Sequence, residues 1–283
     1  MMKKIFLTVL VLFCITIVSS ASAQQRQLTP NMRVHKFRST ILSEERILLV
    51  WLPPGYEKDQ TRRYPVFYLH DGQNKILNWR IDEIAQPLIE AGEIEPLIIV
   101  AVYHGGTHEA RYKDYTPTRD PNFGKSGHAD KYGQMLIEEA KPFIDSEYRT
   151  LTDAMNTGLG GASLGGLVSL YLGLKYPSKF GKLALMSPSV WWDDKLLIKQ
   201  IKKLESKTSQ RIWLDIGGAE GDQAVSVVKQ LRDAFVAKGW VTDSDLKYLE
   251  VKGEEHSDKA FARRADKVLK YLFPVVSKSM ALP

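Results

Sequence analysis

Apolar residues along the chain fall into short continuous runs and into longer stretches with helical spacing. The runs at residues 47–56, 64–72 and 95–103 predict β-strands; two prolines halt the first, and the third is apolar enough to be buried on both faces. Between the last two runs, residues 81–92 repeat apolar side chains on one helical face, which a single proline interrupts. The first part of the chain is therefore predicted to be rich in strands.

The rest of the chain alternates helices and strands regularly. A helix is predicted at residues 131–148. The strands predicted after it are residues 156–160, 182–187, 211–216 and 245–251. Each strand is followed by a predicted helix, in order residues 165–176, a stretch after Asp193, residues 223–238 and residues 259–273. This alternation implies the α/β class, with a mostly parallel central sheet and helices on both faces. Because the sequence has no internal repeat or linker, residues 24–283 are predicted to form a single domain.

Residues 105–127 differ from the rest of the chain. They are rich in Gly, Pro, Asp, Thr and Tyr and have no apolar period, so no helix is predicted there. A connection of that length inside a compact domain is usually functional. We therefore expect this segment to contribute to a site.

Residues 1–23 have the order of a secretory signal peptide. Lys3 and Lys4 precede an apolar core at residues 5–18, and a small-residue cleavage site follows at residues 21–23. That core is short for a membrane span. We predict cleavage after Ala23, export to the periplasm or the extracellular space, and no stable membrane insertion afterwards. The only cysteine lies in this segment, so the mature chain would have no disulfide.

Composition and charge exclude few function classes. The chain has 283 residues, 44% hydrophobic and 25% charged, which is typical of a globular enzyme-sized domain. The formal net charge of +6 includes the lysines of the signal segment. The densest basic stretch, residues 195–207, repeats apolar residues at helical spacing, which favours a solvated helix face over a nucleic-acid site.

The stretch GLGGASLGGL, residues 158–167, places Ser163 among five glycines. It contains the pattern G-x-S-x-G between a predicted strand and a predicted helix, which is the setting of a nucleophile elbow. Glycine is needed two residues before and after the serine because side chains there would collide on so sharp a turn. Ser163 is therefore the candidate nucleophile.

A base and an acid should follow the serine along the chain, in the order acid and then histidine. His256 is the one histidine after Ser163, and it follows the last predicted strand. The acid should follow the strand at residues 211–216, where the candidates are Glu220 and Asp222. We favour Glu220, and Asp222 is also well placed to cap the next helix.

Two backbone amides are candidate donors to an oxyanion. Leu164 follows the serine at the start of a predicted helix, and Gln73 follows His70-Asp71-Gly72 at the end of a predicted strand. His104 and His108 lie near each other, but no third histidine joins them at ligand spacing, so no metal site is predicted.

Taken together, these residues resemble the esterase family of α/β-hydrolases that contains enterochelin-esterase-like, feruloyl-esterase-like and mycolyltransferase-like enzymes. The resemblance runs from about residue 46 to residue 271. It rests on WLPPGY (51–56), YPVFYLHDGQN (64–74), ARYKDYTPT (110–118), GASLGGL (161–167), LMSPSVWW (185–192), Gly217 with Glu220, and His256.

The resemblance implies an α/β-hydrolase fold and a serine esterase that needs no cofactor. Ser163 would be the nucleophile, His256 the base and Glu220 or Asp222 the acid, with oxyanion amides at Gln73 and Leu164. Some members of the family use a serine–histidine pair alone. An acyltransferase of the same fold and a non-catalytic binding module are the other classes considered.

Aromatic residues after two predicted strands suggest the substrate class. Tyr115, Trp191 and Trp192 would lie near the carboxyl ends of parallel strands, where ligands bind. Aromatic walls suit a sugar or feruloyl ring, and Arg111 could hold an anionic or polyhydroxyl group. We expect acyl esters of carbohydrates, small or oligomeric, with a siderophore trilactone as the alternative.

Overall fold

The computed structural model describes residues 28–120 and 127–275. An eight-stranded sheet has the order β1-β2-β4-β3-β5-β6-β7-β8. β1 pairs with β2, and β2 with β4, in antiparallel fashion, whereas all later neighbours are parallel. The strands are β1 Met32–Ser39, β2 Glu44–Trp51, β3 Val66–Leu69, β4 Ile98–Val102, β5 Thr157–Ala162, β6 Lys182–Met186, β7 Arg211–Gly217 and β8 Leu246–Val251.

Helices cover both faces of the sheet. They are α1 Gly72–Asn74, α2 Ile81–Glu90, α3 His108–Tyr115, α4 Ala129–Met135, α5 Lys141–Glu147, α6 Leu164–Lys175, α7 Trp192–Lys203, α8 Asp222–Ala237 and α9 Asp258–Leu272, with π-helical turns at Lys75–Trp79 and Leu136–Ala140. One core cluster lies under α4 to α8, and a second lies under α2 and α9. The predicted α/β-hydrolase fold, with a mostly parallel sheet between two helical layers, is confirmed.

Two elements differ from the sequence prediction. β1 was not predicted, because four basic or histidine side chains interrupt its apolar positions. It is an edge strand, where such residues protect the exposed backbone from pairing with another chain. α3 was not predicted either, and it begins at His108, within the segment that lacks apolar periodicity. Its first turn is capped by the Thr107 side chain, which accepts a hydrogen bond from the Ala110 amide.

The predicted signal segment, residues 1–23, and its cysteine lie outside the described residues. None of the helices within residues 28–120 and 127–275 combines the length and the apolar character needed to cross a membrane. The parallel strands β3, β5, β6 and β7 end at the same edge of the sheet. The loops after those four strands carry Gln73, Ser163, Trp191 and Glu220, and His256 follows β8, which pairs in parallel with β7.

Candidate active site

Ser163 lies on a sharp turn between β5 and α6. Its backbone angles are φ 60° and ψ −123°, a conformation that L-residues rarely adopt and that stores strain. A Cβ atom on Gly161 would lie 3.0 Å from the backbone carbon atoms of Gly165, so the turn needs glycine there. The structure therefore gives the G-x-S-x-G segment the strand, turn and helix that a nucleophile elbow requires.

Leu164 and Gln73 lie in the first turns of α6 and α1. Amides in a first helical turn have no acceptor within their own helix, so they are available to an anion. The two turns follow β5 and β3, which are neighbours in the sheet. A Cβ atom on Gly165 would lie 3.1 Å from Asp71 Oδ2, which shows how closely the start of α6 approaches the start of α1. The predicted oxyanion donors therefore lie in adjacent loops.

His256 contacts Glu220. The distance from His256 Nδ1 to Glu220 Oε2 is 2.5 Å. The His256 side chain is 46% exposed, whereas that of Glu220 is 4% exposed. Phe261 packs edge-on against the imidazole, with ring centroids 5.1 Å apart. Phe261 thus packs against the imidazole, and nearly half of the His256 side chain stays exposed.

The Glu220 carboxylate is held by further donors. Its Oε1 accepts hydrogen bonds from Ser187 Oγ at 2.5 Å and from the Gly217 amide at 2.8 Å. Burial acts to raise the pKa of Glu220, but the hydrogen bonds from His256, Ser187 and Gly217 outweigh burial and hold that pKa below its ordinary value. Glu220 is therefore ionised at neutral pH.

Asp222, the alternative acid, is exposed at the first position of α8. The cap of that helix is Gly221, and no side-chain hydrogen bond caps it. The prediction that Asp222 caps α8 is therefore wrong, because the helix begins at Asp222 itself. The acidic side chain instead complements the positive end of the helix dipole.

The Ser163 hydroxyl lies 3.3 Å from Ser189 Oγ. Among the described residues, no hydrogen bond joins Ser163 to His256. Ser189 and His256 nevertheless line one small cavity of about 50 Å³, together with Ser187, Trp191 and Glu220. The histidine–glutamate pair thus lines this cavity, and Ser163 contacts one of its lining residues, Ser189.

Arg111 and Tyr115 support the loop that carries Gln73. Arg111 Nε and Nη2 donate to the two carboxylate oxygens of Asp71 at 2.5 and 2.9 Å. The Asp71 amide donates to the Tyr115 hydroxyl at 2.7 Å. Burial acts to raise the pKa of Asp71, but Arg111 and Lys75 hold it below its ordinary value. The structure thus gives both predicted substrate contacts a role within the protein, and Tyr115 is fully buried.

The two predicted tryptophans differ in exposure. Trp192 is 1% exposed and packs in the core against Tyr112, so it does not line a pocket surface as predicted. Trp191 is 38% exposed. It borders an open groove of about 630 Å³, whose lining residues are Asp120, Trp191, Glu220, Gly221, Asp222, Gln223, Ala224 and Val227. The groove lies beside the candidate acid.

His104 and His108 contact different side chains. His104 Nε2 lies 4.0 Å from Asp71 Oδ1, and the His108 ring packs against Tyr112. Within the described part of the chain, no three His, Cys, Asp or Glu side chains are grouped as metal ligands.

Sequence reasoning missed the roles of Ser187 and Ser189. Both follow β6, and both contact a predicted catalytic residue, Glu220 and Ser163 respectively. The signal was present in the segment LMSPSVWW, because a polar loop after a strand next to β5 must approach the nucleophile.

The family model described as Putative esterase matches residues 39–268. The uncharacterized protein YbbA of Bacillus subtilis is 28% identical over 238 residues, which are 79% of this chain and 91% of that protein. The endo-1,4-beta-xylanase/feruloyl esterase of Xylanibacter ruminicola is 29% identical over 237 residues, 79% of this chain and 29% of that protein. The iron(III) enterobactin esterase of Dickeya dadantii is 30% identical over 124 residues, 38% of this chain and 27% of that protein.

Among solved structures, the BES protein from Bacillus cereus gives a TM-score of 0.73 at 24% identity. The superposition covers 89% of this chain and 98% of that one. The two chains therefore share a fold over most of this chain and nearly all of the other one.

Proposed function

Because this chain belongs to the Putative esterase family, we propose that it is a serine carboxylic-ester hydrolase that works through an acyl-enzyme. The observation that carries the proposal is the 2.5 Å contact between Glu220 Oε2 and His256 Nδ1. A carboxylate on Nδ1 keeps the proton there, which leaves Nε2 free to accept another from a nucleophile. The strained turn at Ser163 supports the same assignment.

In the proposed first step, Ser163 Oγ attacks the carbonyl carbon of the ester and its proton passes to His256 Nε2. The ionised Glu220 stabilises the imidazolium that forms. The carbonyl oxygen becomes an oxyanion, which accepts hydrogen bonds from the Gln73 and Leu164 amides. His256 then donates its proton to the leaving alcohol, and the acyl group remains on Ser163.

In the second step, a water molecule loses a proton to His256 and attacks the acyl-enzyme carbonyl. The tetrahedral intermediate collapses, the acid leaves and Ser163 regains its proton. The reaction requires the Ser163 hydroxyl to turn from Ser189 toward His256. Catalytic hydrogen bonds of unliganded enzymes are often long or misaligned and tighten in the substrate complex, which is consistent with this turn.

The proposed substrates are acyl esters of carbohydrates, of acetyl or feruloyl type. The groove beside Glu220 has a volume within the range of about 300–1,000 Å³ that small-molecule sites occupy. Trp191 offers an aromatic surface for a sugar or feruloyl ring. The relationship to a protein named as a xylanase and feruloyl esterase supports this substrate class.

The charge of the groove also favours a neutral substrate. Its described lining residues include Asp120, Glu220 and Asp222 and no basic side chain. A ferric catecholate siderophore is trianionic, and these carboxylates would repel it. The siderophore trilactone remains the second candidate because an enterobactin esterase is among the relatives.

Substrate preference tests this proposal. We expect kcat/KM to be higher for acetylated xylo-oligosaccharides and methyl ferulate than for a ferric catecholate trilactone. Trp191→Ala should raise KM for the preferred ester by about two- to tenfold, the value of one aromatic contact. Val241 is another exposed apolar residue, and the control variant Val241→Ala should leave KM unchanged. Preference for the trilactone would reverse the order of the two candidates.

The balance between hydrolysis and acyl transfer is measured in the same assay. Adding a sugar or alcohol acceptor should leave the free acid as the main product. A dominant transferred ester would instead assign the chain to the acyltransferases. We further propose that the protein is exported and cleaved after Ala23, which the mass of the mature chain, beginning at Gln24, would test.

A further inference from the structure

Ser187 lies in the loop after β6, beside the candidate acid. It is 3% exposed, and its hydroxyl contacts Glu220 Oε1 at 2.5 Å. Its φ of 38° is unfavourable for a residue other than glycine. Backbone strain at a buried polar residue persists only where the surroundings fix it. The contact with Glu220 is therefore imposed by the fold.

The direction of the hydrogen bond between Ser187 and Glu220 follows from a third residue. Arg264 Nη2 lies 3.2 Å from Ser187 Oγ. A guanidinium can only donate and an ionised carboxylate can only accept, whereas a hydroxyl has one proton and two lone pairs. The Ser187 oxygen must therefore accept from Arg264, and its one proton must point to Glu220.

Arg264 is itself held in place by Asp215. Arg264 Nη1 lies 3.4 Å from Asp215 Oδ1, and the two side chains are 1% and 0% exposed. Asp215 also accepts hydrogen bonds from Trp213 Nε1 at 2.6 Å and from the Ser187 amide at 3.2 Å. The carboxylate that pairs with Arg264 is therefore held in position by donors of its own.

Helix α9 links this buried cluster to the base. The helix begins two residues after His256, carries Phe261 against the imidazole and places Arg264 one turn further on. The same helix therefore fixes one side of His256 and, through Arg264 and Ser187, the far oxygen of Glu220. This arrangement leaves Glu220 Oε2 directed at His256 Nδ1.

We propose that Ser187 is a positioning residue that holds Glu220 for His256, with Arg264 orienting the Ser187 hydroxyl. The inference rests on the proposed function, in which Glu220 orients the base. Without the Ser187 hydroxyl, Glu220 Oε1 still accepts a hydrogen bond from the Gly217 amide. It loses the second hydrogen bond, which restrains rotation of the Glu220 side chain. Small losses of alignment in a catalytic group cost rate without weakening substrate binding.

The test measures Ser187→Ala in two backgrounds, wild type and Glu220→Gln. In wild type, Ser187→Ala should lower kcat by about ten- to a hundredfold and leave KM within about twofold, since hydrogen bonds to charged groups are of that strength. In the Glu220→Gln background, the same change should lower kcat by less than about threefold. A residue that acts through Glu220 has nothing left to position there.

Arg264→Lys and Arg263→Lys form a matched pair on α9. Arg264→Lys should lower kcat in the otherwise wild-type enzyme. Arg263 pairs with Glu254 on the surface, so Arg263→Lys should leave kcat unchanged. Equal losses from Ser187→Ala in both backgrounds, or no loss in wild type, would overturn the inference. Retained activity in Ser163→Ala would contradict the proposed function instead, so the two failures are distinguishable.

Discussion

Replacing Ser163 with alanine is expected to lower kcat/KM for short p-nitrophenyl esters by about a thousandfold or more. The change removes the one oxygen that the turn between β5 and α6 presents, and the smaller alanine side chain fits the same turn. The fold should persist, because the hydrogen bond lost is a long one, 3.3 Å, to Ser189 Oγ, and Ser189 lines a cavity. Circular dichroism and thermal unfolding should match those of the wild type.

The His256→Ala variant should be impaired to a similar degree, and the double variant should be little worse than either single one. Nucleophile and base act as one unit, so the second change removes nothing that still contributes. Ser226→Ala, an exposed serine on α8, is the control and should retain full activity. Near-normal turnover by Ser163→Ala would exclude the serine mechanism.

Replacing Glu220 with glutamine should lower kcat by about a hundred- to ten-thousandfold with little change in KM. The amide has the shape of the carboxylate but no charge to balance an imidazolium. It also presents a donor where His256 Nδ1 needs an acceptor, which favours the wrong tautomer. Steady-state kinetics on the same esters measure both constants.

Asp222→Asn is the matched control for the acid. Asp222 lines the groove but lies outside the contact between Glu220 and His256 and does not cap α8, so this change should alter kcat by less than about twofold, whatever its effect on KM. A large loss in Asp222→Asn with a mild Glu220→Gln would move the acid to Asp222. Two mild variants would indicate a serine–histidine pair acting alone.

Much of this site could be predicted from the sequence because its chemistry depends on local rules. Ser163 requires glycine two residues away on each side, and a sharp turn between strand and helix follows from that pattern. His256 and Glu220 could be predicted because each follows a strand that comes after Ser163 in the chain, and parallel strands end at one edge of the sheet. The structure brings these two side chains into contact as expected.

Burial of aromatic side chains could not be predicted in the same way. Trp191 and Trp192 are neighbours with the same chemistry, yet one is 38% exposed and the other 1%. The direction in which each ring points depends on the backbone of the turn before α7 and on what packs there. Tyr115 was likewise expected at a substrate and instead accepts a hydrogen bond from the Asp71 amide.

Polar contacts between residues far apart in the chain also could not be predicted from the sequence. Ser187 and Arg264 are 77 residues apart, and only the packing of α9 against the end of β6 brings them together. The same holds for Arg111 and Asp71, which are 40 residues apart. No periodicity marks such pairs, because each depends on one side chain reaching another across the fold.

The most direct test of the serine mechanism is covalent labelling with a fluorophosphonate, read by mass spectrometry of tryptic peptides. Ser163 lies in the peptide of residues 150–175, whereas Ser187 and Ser189 lie in the peptide of residues 183–195. One adduct is expected, on Ser163, which forms rapidly in the wild type, slowly in His256→Ala and not at all in Ser163→Ala. An adduct on Ser187 or Ser189, or full activity of a protein labelled at Ser163, would contradict the serine mechanism.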